Sequence, residues 1–219
     1  MEKLIIFDCD GVLVDSEPIS NRVVVEKLED HGCSLSEEES QERFTGISMA
    51  TLMDIVETDL GVKLPDHFEA EVHAETTAAF DRDLRPVSGV IEALMKLNVT
   101  KCIASSGSPK KIEHSLGLTK LDGIFDKESI FSAHMVERGK PHPDLFLHAA
   151  EKMGVEPRDC IVVEDSPAGV KAGRMAGMVV LGFTGGSHAQ DPSYRARLEA
   201  AGADMIFDDM KMLPRLIGR

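Results

Sequence analysis

Leu4-Ile5-Ile6-Phe7-Asp8-Cys9-Asp10-Gly11-Val12-Leu13-Val14-Asp15-Ser16 is the stretch on which the reading of the whole chain turns. Four apolar residues in a row, with no polar alternation, describe a strand buried on both faces, as in a parallel sheet. The run ends on Asp8 and Asp10, and open parallel sheets bind their ligands just beyond the carboxyl ends of the strands. Two carboxylates one residue apart repel unless a cation neutralises them, and hard carboxylate oxygens suit Mg²⁺. The plain alternative is that both acids cap the turn after the strand, as Asp often does. Gly11 allows the chain to turn sharply at that point.

Three later segments place complementary groups at loops and strand ends. Lys101-Cys102-Ile103-Ala104 runs into Ser105-Ser106-Gly107, Lys140 opens a proline-rich loop, and Cys160-Ile161-Val162-Val163 runs into Glu164-Asp165. Together with the first stretch they supply a nucleophile, a hydroxyl, a cation and further metal ligands.

Between the opening stretch and the first of these segments the pattern is at first helical. Residues 17–31 carry Ile19, Val23, Val24 and Leu28 at helical spacing before Gly32, and Ser36 with Glu39 makes a capping box for residues 36–43. Residues 48–60 and 66–83 read as two further helices, with Gly61 stopping the first of them. From about residue 85 strands and helices alternate, with strands expected at 102–105, 130–132, 160–164, 179–182 and 205–207. Ser166-Pro167 reads as a helix N-cap followed by proline in the first turn, which fixes Glu164 and Asp165 at a strand-to-helix crossing. The expected fold is α/β: a Rossmann-like, doubly wound parallel sheet (1–16 and 85–219) interrupted by a four-helix cap (17–84).

Charge and composition narrow the partners. The 219 residues include 38 acids against 24 lysines and arginines, a formal net charge of -14, which argues against nucleic acid or an anionic membrane as partner. An anionic substrate therefore has to be attracted locally, by groups such as Lys140. No run approaches the roughly 18 apolar residues of a membrane helix, and no basic-then-apolar leader precedes the first strand, so a soluble cytoplasmic protein is expected. Cys9, Cys102 and Cys160 sit in apolar strand contexts and read as buried thiols, with Cys33 uncommitted. No His-Glu-x-x-His pattern supports zinc.

The four segments Asp8-x-Asp10-Gly11-Val12-Leu13-x-Asp15-Ser16, Ala104-Ser105-Ser106-Gly107, Gly139-Lys140-Pro141-x-Pro143 and Val163-Glu164-Asp165-Ser166-x-Ala168-Gly169 resemble motifs I to IV of the haloacid dehalogenase superfamily, in its subgroup of phosphatases and phosphomutases with a small helical cap. The resemblance covers nearly the whole chain. It implies that Asp8 is a nucleophile forming a phosphoaspartate and that Asp10 serves as acid and then base. It further implies Mg²⁺ held by Asp8, the Asp10 carbonyl and the Glu164/Asp165 pair, with Asp165 the first choice and Glu164 a direct or water-mediated ligand. Ser105 and Lys140 would bind the phosphoryl oxygens, and Ser106 and Gly107 would add backbone donors. Asp15 and Ser16 are read as structural, and His188 as a mobile loop residue outside the chemistry.

Substrate choice is assigned to the cap, through the loop containing Arg43, Gly46 and Ser48, with a plain helix connection as the competing reading. The sugar phosphomutases of the family carry an arginine where this chain has Met49 and a histidine where it has Ser20, so hydrolysis is favoured over phosphoryl transfer to a second sugar phosphate. The expected substrate is a small phosphorylated sugar or sugar acid, 6-phosphogluconate among them. A phosphomutase is the alternative, and a phosphate-binding module without turnover a third. A dehalogenase is disfavoured by Asp10. Oligomeric state is left open.

Overall fold

In the computed structural model, residues 3–44 and 49–218 are described. The chain divides into two compact units, one formed by residues 1–15 and 85–219 and the other by residues 16–84.

The first unit is built on six parallel strands in the order β3-β2-β1-β4-β5-β6, with β1 Leu4–Phe7, β2 Thr100–Ser105, β3 Ile130–Ser132, β4 Cys160–Glu164, β5 Val179–Phe183 and β6 Met205–Phe207. This is the doubly wound α/β arrangement that the alternating pattern predicts. All four residues of β1 are fully buried: Leu4 and Ile6 join a cluster with Cys102, Leu145, Phe146, Val162 and Val170. Phe7 meets Phe125 edge-on, with ring centroids 6.2 Å apart. Removing both faces of a strand from water is what allows four consecutive apolar residues.

From β1 the chain winds outward through β2 and β3, and then returns to place β4 on the other side of β1. The direction of winding reverses between β1 and β4, where carboxyl-end loops separate and leave a crevice. Register sets the neighbours, since Phe7 pairs with Ile103 on one side and Val163 on the other, so residues 8, 104–105 and 164–165 emerge together. The helices α6 Pro109–Thr119, α7 Asp144–Met153, α8 Pro167–Met175 and α9 Pro192–Ala201 belong to this unit, as do α5 Val90–Lys96 and α10 Leu213–Ile217.

The second unit holds α1 Glu17–Asp30, α2 Glu37–Phe44, α3 Met49–Asp59 and α4 Phe68–Asp83. The capping box forms as its spacing predicts: Glu39 N–H donates to Ser36 Oγ (3.2 Å) and Ser36 N–H to Glu39 Oε2 (2.9 Å). Gly32 and Gly61 follow their helices at φ +83° and +69°, a region L side chains rarely enter. Ile19, Val23, Leu28, Phe44, Leu52, Val56, Phe68, Val72 and Phe80 supply the buried faces of the four helices. All four cysteines are buried, Cys33 included. Among the described residues no helix is long and apolar enough to cross a membrane.

Candidate active site

The residues at the crevice between β1 and β4 form a buried ionic cluster. Asp8, the first residue beyond β1, is 7 % exposed, and its N–H donates to the Val163 carbonyl (3.0 Å), which extends the strand pairing by one step. The Lys140 ammonium reaches in from the loop before α7 and donates to both Asp8 Oδ1 and Glu164 Oε1 at 2.6 Å. Its Nζ also lies 5.0 Å from the centroid of the Phe146 ring, so its charge is held by two carboxylates and an aromatic face. Burial alone lowers a lysine pKa, but Asp8 and Glu164 outweigh it and hold Lys140 above its usual value. Burial pushes the Asp8 carboxyl well up; Lys140 opposes that shift, and Glu164, Asp165 and Asp10 add to it.

Glu164 is oriented through both oxygens. Oε1 takes Lys140, and Oε2 accepts from Ser166 N–H (2.8 Å) and Ser166 Oγ (2.9 Å). The same Ser166 Oγ accepts from Gly169 N–H (3.0 Å), so the expected N-cap of α8 also anchors Glu164. Gly169 is there for space: a Cβ on it would lie 1.8 Å from Glu164 Oε1. Asp165 is 4 % exposed, and burial raises its pKa against the pull of His188, whose Nε2 lies 2.8 Å from Asp165 Oδ2.

Asp10, two residues beyond Asp8, is half-buried, and its Oδ2 accepts from Lys111 Nζ at 2.9 Å. Lys111 belongs to the first turn of α6, and its role escapes sequence reasoning; the only trace is its place three residues after the N-cap Ser108. Gly11, at φ +74°, donates to the Val14 carbonyl (2.8 Å) and lies so close to Asp165 that a Cβ would sit 2.0 Å from Oδ2. Ser105 is buried at the end of β2, and its Oγ accepts from Gly107 N–H (3.1 Å), which leaves the hydroxyl proton to donate elsewhere. Gly107 N–H is thus turned toward Ser105, and the Gly107 carbonyl accepts from Ser132 Oγ (2.6 Å). Ser106 is exposed.

Asp15 tethers the first loop to the loop after β5, accepting from Ser187 N–H (3.0 Å) and from Ser187 Oγ. His188 differs from the mobile loop residue that its Gly-Gly-Ser context suggests: it is 7 % exposed and lies within the cluster. In the helical unit, Arg43 is exposed in the last turn of α2, while Gly46 and Ser48 lie outside the described residues.

One oxygen each from Asp8, Glu164 and Asp165 falls within a common 4.8 Å, an arrangement suited to a hard cation. Asp8, Glu164 and Asp165 bring three carboxylates to this point against the one ammonium group of Lys140, and the two surplus negative charges match one divalent ion. The donor set therefore fits Mg²⁺ in charge and in ligand type. The Asp10 side chain lies outside this set and is engaged with Lys111.

Comparison with known proteins agrees with the fold and the motifs. Residues 5–183 match the family model described as haloacid dehalogenase-like hydrolase. A 6-phosphogluconate phosphatase of Escherichia coli is 37 % identical over 185 residues, covering 84 % of this chain and 83 % of its own length. Hexitol phosphatase A of the same organism is 33 % identical over 180 residues, 80 % of each chain. The crystal structure of a conserved haloacid dehalogenase-like protein of unknown function from Agrobacterium tumefaciens superposes with a TM-score of 0.92 at 39 % identity, covering 100 % of this chain and 98 % of that one. The chain belongs to the haloacid dehalogenase-like hydrolase family and is an enzyme of its phosphoric monoester hydrolase branch.

Proposed function

We propose that the chain hydrolyses small phosphate monoesters, sugar or sugar-acid phosphates, through a phosphoaspartate on Asp8 and with Mg²⁺ bound. The observation that carries this reading is the Asp8–Lys140–Glu164 cluster at the β1/β4 crevice, with a second acid, Asp10, two residues from the first. When bound, Mg²⁺ shields the Asp8 charge from the phosphate it attacks. Asp8, Glu164 and Asp165 would hold it, with the Asp10 carbonyl.

Asp8 presents a carboxylate oxygen to phosphorus in line with the leaving alcohol. A bond forms between that oxygen and phosphorus, the ester P–O bond breaks, and Asp10, which takes up a proton when the anionic substrate binds beside it, gives that proton to the departing oxygen. Water then attacks the same phosphorus from the opposite side, Asp10 takes back a proton, and inorganic phosphate leaves with the Asp8 carboxylate restored. Lys140 holds Asp8 in direction and offers positive charge to the phosphoryl oxygens, and the Ser105 hydroxyl donates to them. Lys111 fixes the Asp10 side chain at the position its proton transfer requires. Strong burial around Asp8 lowers the local dielectric, so these charges act more strongly than they would in water.

The names of the phosphatase relatives support sugar and sugar-acid phosphates as substrates. The direct test is release of inorganic phosphate from a panel of sugar phosphates, sugar-acid phosphates, nucleotides and phosphoglycolate, in Mg²⁺ and in EDTA. Asp8→Asn serves as the blank. Magnesium-dependent release by the wild type alone is expected, strongest on sugar or sugar-acid phosphates. Absence of release from every member would overturn the reading and return the mutase alternative.

A further inference from the structure

His188 lies outside the four motifs, yet two loops are shaped around it. Its side chain is 4 % exposed, facing an Asp165 side chain that is 6 % exposed. A Cβ on Gly11 would come within 2.8 Å of His188 Cε1, and a Cβ on Gly186 within 2.7 Å of the same atom. Two glycines from separate loops therefore leave room for one imidazole. The ring is held edge-on by Tyr194, at 5.2 Å between centroids and 82° between planes. Its loop is pinned by Asp15, which accepts from Ser187 N–H, and by Ala189 N–H and Gln190 Nε2, which both donate to the Gly186 carbonyl. So many constraints on a short turn leave the ring little freedom, and they hold Nε2 at 2.8 Å from Asp165 Oδ2.

We propose that His188 is a positioning residue for the metal ligand Asp165: donating from Nε2 to Oδ2, it fixes the carboxylate plane so that Oδ1 faces the cation shared with Asp8. The inference rests on the metal-site reading given above. A buried carboxylate with one oxygen tied has one direction left for a ligand, whereas an untethered one turns to other positive groups, of which Lys140 is close at hand. Partners of this kind behind a metal ligand typically contribute about 10–100-fold to metal affinity. The competing view is that His188 merely fills space beneath Tyr194.

The two roles separate by substitution. His188→Phe keeps the ring and its edge contact with Tyr194 but removes the donor, while His188→Gln places an amide N–H near the Nε2 position. Titration calorimetry of MgCl₂ into substrate-free protein reads affinity without turnover, and kcat measured across Mg²⁺ concentrations reads the rest. Expected for His188→Phe is a Kd for Mg²⁺ raised about 10–100-fold, with kcat at saturating Mg²⁺ within about threefold of wild type, and for His188→Gln a Kd within about threefold of wild type. Should His188→Phe fail to fold in EDTA, His188→Asn takes its place. Its shorter amide does not reach Asp165 and is expected to bind Mg²⁺ as weakly as the phenylalanine variant would. Equal affinity in wild type and His188→Phe, or equal losses in the Gln and Asn variants, would overturn the positioning role and leave the metal site standing. A wild type that takes up no Mg²⁺ would bring down the metal-site reading itself, and this inference with it.

Discussion

The buried cluster at the sheet crevice and the helical unit handle opposite charges in opposite ways. In the strand-built unit, Lys140 and Glu164 meet at 2.6 Å with side chains 5 % and 1 % exposed. In the helical unit, Arg22 and Asp83 meet at a similar 2.8 Å with side chains 40 % and 46 % exposed, and Lys27–Asp30 and His31–Glu71 are also partly open to water. Distance alone would rank these pairs together. Burial separates them, because a charge taken out of water is costly unless its partners are correctly placed, whereas an exposed pair gives up little solvation and gains little. The buried cluster is thus a poor device for stability and a good one for chemistry: its repulsions are stored at the place where the proposed mechanism brings a cation and a phosphate.

Removing the proposed nucleophile tests that contrast most severely. Asp8→Asn is expected to lower kcat by at least about 10⁴-fold, since the covalent route is lost. Yet metal-free protein should become more stable, with Tm higher by about 2–4 °C, because one of several crowded buried carboxylates is gone while Lys140 keeps Glu164. Lys140→Ala should do the reverse to stability. It leaves Asp8 and Glu164 buried without their shared counter-charge, at a cost of about 3–5 kcal/mol by denaturant unfolding, and lowers kcat by about 10²–10³-fold.

A smaller perturbation reaches the same cluster without touching a charge. Gly169→Ala would drive a methyl group into Glu164, and the displaced carboxylate would release Lys140. The expected loss in kcat is about tenfold or more, with KM changed less, measured by steady-state phosphate release. The pH dependence of the metal-free protein sharpens the sign. Asp8 has a folded pKa above its unfolded value, so the folded state binds its proton more readily. The stability it contributes is fully present below the unfolded carboxylate range, about pH 3.9, and is lost as pH rises through the raised folded pKa. The Tm advantage of Asp8→Asn over wild type in EDTA should therefore be largest near neutral pH and shrink as pH falls. A constant advantage across that range would mean that Asp8 is not the source.

Much of this was legible in the sequence, for identifiable reasons. The unbroken apolar runs 4–7 and 160–163 announce strands buried on both faces, and carboxylates at their ends mark the crevice. Ser166-Pro167 and Ser36-x-x-Glu39 encode their caps locally, so spacing alone recovers them. What local pattern does not encode is the meeting of side chains far apart in the chain. Lys111 reaches Asp10 across 101 positions and Asp15 reaches Ser187 across 172, with nothing in either neighbourhood that demands the partner. His188 is the sharpest case. Glycine and serine around it suggest an open loop, but a side chain on Gly186 would run into the imidazole, and one on Gly185 into the Asp208 carbonyl and the Phe183 ring. A glycine pair beside a histidine can therefore signal tight packing as readily as freedom.

The smallest expected effect is also the one that most directly sets the exposed pairs against the buried ones. Arg22 reaches Asp83 across 61 positions, from α1 to the last residue of α4, and also lies 3.9 Å from Glu26. On geometry alone it resembles Lys140, a cation placed between two carboxylates. Water around both partners screens the attraction, and ordering two long side chains offsets part of what remains. Arg22→Ala is therefore expected to change unfolding free energy by no more than about 1 kcal/mol, less still in high salt, and to leave phosphate release unchanged. A loss as large as that of Lys140→Ala would mean that connectivity between α1 and α4, and not burial, decides what an ion pair contributes in this fold.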